Sequence, residues 1–141
     1  MTDEGAIQQT ISRYNEAAST RDWEAAVATY LPDGVWESAG SGHRFEGREA
    51  IRDALISFTS ALEYVVQINA PAVISVDGES ATARSAVRES GKFAGRDQGI
   101  EAFGIYADKL VRTAEGWRFA QRRFELKWLH RVPILPADAQ V

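Results

Sequence analysis

The chain has no cysteine and only two histidines in 141 residues. Neither a disulfide framework nor thiolate zinc chemistry is available, and two imidazoles make a transition-metal site an unexpected use of the fold. No apolar run approaches the roughly 18 residues that a membrane span needs. The first residues, MTDEGAIQQ, are acidic and lack the apolar core of a secretory leader. A soluble, cytoplasmic protein is expected, with no metal, no cofactor and no membrane association. Grouped cations are lacking too. The net charge is -4 and the basic residues are interspersed with acids, which argues against a nucleic-acid partner because phosphate binding needs clustered Lys and Arg. Repeats, linkers and low-complexity blocks are absent, and the length suits one domain with a proper core.

The first half of the chain is patterned for helices. Ile7, Ile11, Tyr14 and Ala18 fall at i, i+4, i+7 and i+11, one stripe of an amphipathic helix, with Thr2 or Asp3 as its N-cap. Asp22 can cap a second helix, WEAAVATYL, which the turn signal Leu31-Pro32-Asp33-Gly34 should stop. A short strand Val35–Ser38 and a glycine-rich loop from Ala39 to His43 follow, then a third helix from about Arg48 to Leu62 carrying Ile51, Leu55, Phe58 and Leu62. After it the period changes to two. The reading gives a long strand from Tyr64 to Val76 with Pro71 at a bulge or edge, a turn at Asp77-Gly78-Glu79, and a return from Ala81 to Ser90. A glycine-punctuated connection from Gly91 to Gly99 then leads into strands Ile100–Arg112 and Trp117–Trp128. Three helices before a four-strand antiparallel meander make an α+β domain over residues 1–131, with 132–141 as an extended C-terminal tail.

One acid stands out. In GIYADKLVRTAEGWRFAQRRF, pairing the arms across the Thr-Ala-Glu-Gly turn places Tyr106, Asp108, Leu110, Trp117, Phe119 and Arg123 on one side. Lys109, Val111, Arg118 and Arg122 fall on the other. The second side meets water, so Asp108 sits on the covered one, where a carboxylate must be paired, shift its pKa or serve a purpose. An ion pair with Arg123 across the hairpin is one reading and a site acid is the other. Tyr14 likewise reads as core or as a hydroxyl donor. Gln67 and Asn69 alternate with Val66 and Ile68, so one pair faces inward, and the polar pair could orient a ligand carbonyl or hydroxyl there. Trp23, Trp36, Phe58 and Trp117 read as core that could line a pocket for a flat apolar ligand. His43 could reach such a pocket only if its glycine-rich loop folds over the mouth. Arg84, Arg88, Arg112, Arg118 and Arg122 read as a solvated sheet face or a subunit interface.

The segments RYNEAASTRDWEAAVATYLPDGVWE, FEGREAIRDAL, VDGESATAR and YADKLVRTAEGWRFAQRRF, in this order and spacing, resemble the SnoaL-like proteins of the nuclear-transport-factor-2-like (NTF2-like) superfamily. The resemblance implies a cone-shaped α+β barrel, three helices on a curved and mainly antiparallel sheet, with a deep pocket between them and a dimer or trimer formed through the open sheet face. It covers isomerases, dehydratases, cyclases and non-catalytic binders alike. Against ketosteroid isomerases, Tyr14 matches the oxyanion-hole tyrosine and Asp108 the neutral oxyanion-hole acid, while Ser38 stands where the base belongs and Glu37 should face away. Against scytalone dehydratases and dehydrochlorinases, the resemblance sets the dyad acid at about Ser19 and the dyad histidine at about Val65 or Val66. The expected site is therefore Asp108, Tyr14 and His43 for chemistry, with Trp36, Phe58, Gln67, Asn69, Tyr106, Phe119 and Arg123 contacting a small apolar ligand. Candidates for the base are His43, Glu37 and Asp22. The function expected is a cofactor-free isomerase or lyase acting on an oxygenated apolar compound, or alternatively a non-catalytic ligand-binding or interaction protein.

Overall fold

The computed structural model describes residues 1–135. Its first helix, α1 (Asp3–Thr20), begins where Thr2 Oγ1 accepts the Gly5 backbone N–H at 3.0 Å, and buries Ile7, Ile11, Tyr14 and Ala18 as their spacing requires. Each large apolar side chain so buried contributes roughly 1.5–3 kcal/mol. The helix closes at Arg21, whose left-handed backbone (φ 59°) turns the chain sharply into α2. Asp22 caps α2 (Trp23–Ala28) by accepting the Ala25 N–H at 3.1 Å. That helix is shorter than its pattern suggests, because the Thr29 carbonyl accepts the Phe119 N–H at 2.8 Å and Tyr30 already pairs with the last strand. Leu31 to Gly34, expected as a turn, instead form an irregularity inside strand β1 (Tyr30–Ala39). The third helix, α3 (Arg48–Thr59), follows the short strand β2 (Arg44–Glu46) and stops before Leu62, which opens the sheet.

The strands β3 (Leu62–Asn69), β4 (Val73–Asp77), β5 (Ser80–Phe93), β6 (Gln98–Thr113) and β7 (Gly116–Pro133) form the rest of the sheet. The long strand expected from Tyr64 to Val76 is broken around Pro71, which has no N–H to give the ladder, and both halves lie against β5. The glycine-punctuated connection is also tighter than expected, since β5 and β6 run on to Phe93 and from Gln98. Seven strands share one sheet in the order β2-β1-β7-β6-β5-β3, with β4 also on β5; β1 and β7 are parallel and the other pairs antiparallel. The fold is thus α+β, three helices on a mainly antiparallel sheet. β7 continues to Pro133, so the first residues of the expected tail are strand, and residues 136–141 of that tail lie outside the described residues. No helix among the described residues is long and apolar enough to cross a membrane.

Two bulges in β7 decide which side chains reach the interior. Leu110 pairs with Phe119 but Lys109 pairs with Gln121, so Ala120 is an extra residue and every position after it changes side. Arg122 is turned in and Arg123 out, the reverse of the faces expected from uninterrupted alternation. A second bulge at Lys127, between the Gly104–Leu126 and Phe103–Trp128 pairs, turns Leu129 inward and Trp128 outward. Between the bulges the strands bring Gly104 against β7 so closely that a Cβ there would lie 2.5 Å from the Phe124 ring and 2.6 Å from the Glu125 carbonyl oxygen. Gly104→Ala is therefore expected to destabilise the fold by about 1–3 kcal/mol, read as a lower urea midpoint at unchanged slope.

Candidate functional site

Asp108 and Arg122 face each other across β6 and β7, wholly inside the protein. Arg122 Nε donates to Asp108 Oδ1 at 2.8 Å and Nη2 to Oδ2 at 3.1 Å, a two-bond fork of the kind that holds buried charges together. Burial pushes the Asp108 carboxyl up and the Arg122 charge opposes that push, while the carboxylate holds the guanidinium protonated. The guanidinium lies 3.7 Å from the Tyr106 ring centre, 4.3 Å from Phe119 and 4.7 Å from Tyr14. Around it Tyr14, Tyr30 and Phe119 pack with centroid separations of 5.3 to 6.3 Å. Tyr14 and Tyr30 are fully buried, and their hydroxyls have no hydrogen-bond partner. Desolvation pushes both phenols well above their ordinary range, so they stay protonated as donors.

On the other side of Tyr14 and Tyr106 opens a cavity of about 450 Å³ between α1, α3 and the sheet. Trp36, Phe58, Phe124, Leu126 and Leu129 give it apolar walls; Tyr14, Tyr106, Ser38, Gln67 and Glu89 supply polar groups, and His43 lies at its edge. The glycine-rich loop does bring the imidazole to the opening, stacked on Phe45 at 6.0 Å and edge-on to Phe58 at 5.9 Å. Trp36 Nε1 donates to the Tyr106 hydroxyl at 3.2 Å. No Lys or Arg is among the lining side chains. Among the described residues no three His, Asp or Glu side chains gather as a metal-binding group.

Glu89 is the acid of this cavity. It sits on β5 in phase with Ala81, Ala83, Ser85 and Val87, which all point inward, so its side chain must do the same. Directly opposite on β3, Gln67 donates from Nε2 to Glu89 Oε2 at 2.6 Å, and its own Oε1 is buried without a partner. Desolvation raises the Glu89 pKa and the Gln67 hydrogen bond only partly offsets it. Its charge is felt at both Tyr14 and Tyr106. The period-two pattern that singles out Asp108 applies equally to Glu89, a signal legible in the sequence and missed there.

The sequence of the SnoaL-like domain family matches residues 1–123. The chain belongs to this family. Solved structures agree on the fold of this SnoaL-like domain. A provisional scytalone dehydratase from Novosphingobium aromaticivorans DSM 12444 aligns over 100% of both chains with a TM-score of 0.81 and 20% identity. A hexachlorocyclohexane dehydrochlorinase of type 3 from Novosphingobium barchaimii LL02 aligns over 94% of this chain and 93% of its own, with a TM-score of 0.81 and 16% identity. A protein of unknown function from Mycobacterium tuberculosis, solved as an Asp-to-Asn variant, shares 27% identity over 86% of this chain and 70% of its own, with a TM-score of 0.76. No curated protein matches by sequence.

Of the expected site residues, the SnoaL-like fold gathers Tyr14, His43, Trp36, Phe58, Gln67 and Tyr106 around the cavity. Four others it does not. Asp108 is taken up by Arg122 behind the cavity wall, and Phe119 lies in the core beneath it. Asn69, one step beyond the cavity on β3, donates to Ser85 Oγ at 2.8 Å. Arg123 is exposed and near Glu37, 3.8 Å away, because the Ala120 bulge reverses its side. Arg122 correspondingly leaves the outer arginine set to become a core residue. Among the candidate bases, Glu37 accepts from Gln121 at 2.7 Å and pairs with Arg44 on the outer face, and Asp22 is the α2 cap. Ser19, set opposite the dyad acid by the resemblance alone, accepts the Gln67 backbone N–H at 2.9 Å.

Two stability experiments follow. Arg122→Met alone leaves a buried carboxylate unpaired and is expected to cost about 3–5 kcal/mol, whereas Arg122→Met with Asp108→Leu recovers most of that loss in urea unfolding. For Glu89, a carboxyl raised above its ordinary 4.5 binds its proton more tightly in the folded protein. Its contribution to stability is greatest below 4.5 and declines as pH rises through the folded value. Glu89→Gln should therefore melt above the wild type at pH 8, with the difference closing as the pH falls towards 4.5.

Proposed function

We propose that this SnoaL-like domain is a cofactor-free acid–base enzyme of the isomerase or lyase type, including dehydratases and cyclases. Its substrate is a small, uncharged, largely apolar oxygenated compound in the range of polyketides, terpenoids, steroids and aromatics. The observation that carries this reading is the Glu89 carboxyl, its pKa raised by desolvation, turned into an aromatic cavity lined by the phenols Tyr14 and Tyr106. A cavity without Lys or Arg favours a neutral ligand, since an anion entering it would lose its hydration with no cation to replace it.

In this mechanism Glu89 removes a proton from a carbon beside a carbonyl, and Tyr14 and Tyr106 donate hydrogen bonds to the oxygen as negative charge develops on it. Return of the proton to a different carbon completes an isomerisation; departure of a hydroxide-type leaving group, protonated as it goes, completes a dehydration. His43 at the mouth is the second proton carrier, placed to serve the leaving group. Trp36 and Phe58 hold the flat part of the ligand. Glu89 takes the role that Ser38, Ser19 and valine leave open at the positions the resemblance implies.

A second reading has its own observation. Gln67 occupies one Glu89 oxygen at 2.6 Å, as in a cavity that binds without turnover. Proton exchange separates the two. In deuterated water a panel of small cyclic ketones should exchange α-protons in the presence of the wild type, and Glu89→Gln should slow exchange by about 10²-fold or more. Equal exchange with both proteins overturns Glu89 as the base, and binding without exchange by either supports the non-catalytic reading. Oligomerisation through the outer sheet face, where Ile68 and Trp128 are exposed by 59% and 55%, belongs to the same proposal. Sedimentation should show a dimer or trimer that Trp128→Glu weakens.

A further inference from the structure

The buried Arg122 stands directly behind the two phenols that face the cavity. Its guanidinium packs on the ring of Tyr106 at 3.7 Å and on that of Tyr14 at 4.7 Å. Both rings line the cavity, whereas Arg122 itself does not reach it. Trp36 Nε1 already donates to the Tyr106 oxygen at 3.2 Å, so the Tyr106 proton is left for another acceptor. The Tyr14 hydroxyl is fully buried and has no partner. Two phenolic donors on one wall, each backed by the same cation, are a costly arrangement for a core that needed only packing.

A cation against the face of a phenol ring favours electron density leaving the oxygen, which polarises the O–H and strengthens its donation. Burial acts the other way, pushing both phenols up; the Arg122 charge opposes it at each, joined at Tyr106 by the Trp36 hydrogen bond. The charged and titratable groups facing this cation are Tyr14 from α1, Tyr30 from β1, and Tyr106 and Asp108 from β6, with the charge of Glu89 on β5 reaching Tyr14 and Tyr106 from the cavity side. Asp108 holds the guanidinium in place through its two hydrogen bonds.

We infer that Arg122 is a positioning residue for the ligand. Fixed by Asp108 behind Tyr14 and Tyr106, it makes the two phenols a donor pair for an oxygen of a neutral ligand on which negative charge develops. The ligand class this specifies is a phenol, an enol or an enolisable ketone. The inference rests on the cavity being the ligand site, as proposed above, and is independent of whether Glu89 acts as a base.

The test uses 4-nitrophenol, whose neutral and ionised forms absorb at different wavelengths, bound to the Glu89→Gln protein so that no carboxylate competes with the probe. In the same background, Arg122→Met with Asp108→Leu, which replaces the pair by apolar groups, should reduce the bound phenolate-to-phenol ratio at fixed pH roughly tenfold. Asp108→Asn, which keeps the cation and removes its counter-charge, should move that ratio in the opposite direction. A purely structural pair predicts otherwise: an unchanged ratio in the folded neutral-pair variant, or shifts of the same sign in both variants, overturns the inference. Where the neutral pair does not fold, Arg122→Lys decides, since a retained cation should keep most of the phenolate and a tenfold loss overturns the inference. Failure of the Glu89→Gln protein to bind the probe overturns it too. The base assignment fails separately, by persistence of deuterium exchange in Glu89→Gln.

Discussion

The forked ion pair between Asp108 and Arg122 is the interaction on which the interior of this protein depends. A charge placed where Tyr14, Tyr106 and Phe119 meet is tolerated only with a counter-charge at hydrogen-bonding distance, and Asp108 supplies both oxygens at 2.8 and 3.1 Å. The pair couples three levels of the structure. Locally it requires the Ala120 bulge, without which Arg122 would face solvent. Tertiary packing then lays α1 over it through Tyr14 and ties the parallel strand β1 to β7 beside it, with Trp36 opposite Arg122. The cavity begins on the far side of the same rings.

Seen from the cavity, the polar groups form a gradient. At the bottom are phenols that remain protonated because water cannot reach them; at the side is Glu89, whose carboxyl is raised by desolvation and restrained by Gln67; at the mouth is the exposed imidazole of His43. Such an ordering suits proton transfer near an oxygen that must accumulate charge, because the donors and the acid are held by α1 and the sheet rather than by loops. The walls between them are aromatic and aliphatic, so electrostatic effects inside act with little screening.

Membership of the SnoaL-like family explains the scaffold and leaves the chemistry to be read from this chain's own side chains. The positions that the resemblance to ketosteroid isomerases and to scytalone dehydratases and dehydrochlorinases implies for the acid–base groups carry Ser38, Ser19 and valine here, and Ser19 serves the backbone of β3. Glu89, on a different strand, brings a carboxyl to the cavity from another direction. A fold that fixes the cavity while any of several inward strand positions can hold the acid is a physical basis for one scaffold hosting many reactions.

Much of this was legible in the amino-acid order. The stripe through Ile7, Ile11, Tyr14 and Ala18, the Asp22 cap, the meander and the inward Asp108 follow from periods of 3.6 and two, which local sterics impose on any chain. Glu89 obeyed the same period, since a strand with Ala81, Ala83, Ser85 and Val87 inside has no other side for it. What the order alone could not determine was phase. A single extra residue at Ala120 exchanged the faces of Arg122 and Arg123, a change that uninterrupted period-two alternation does not contain. Hence the sequence by itself determined that an acid would be buried on this hairpin. Only the tertiary structure decided which arginine would meet it, and with that whether Asp108 faced a ligand or a guanidinium.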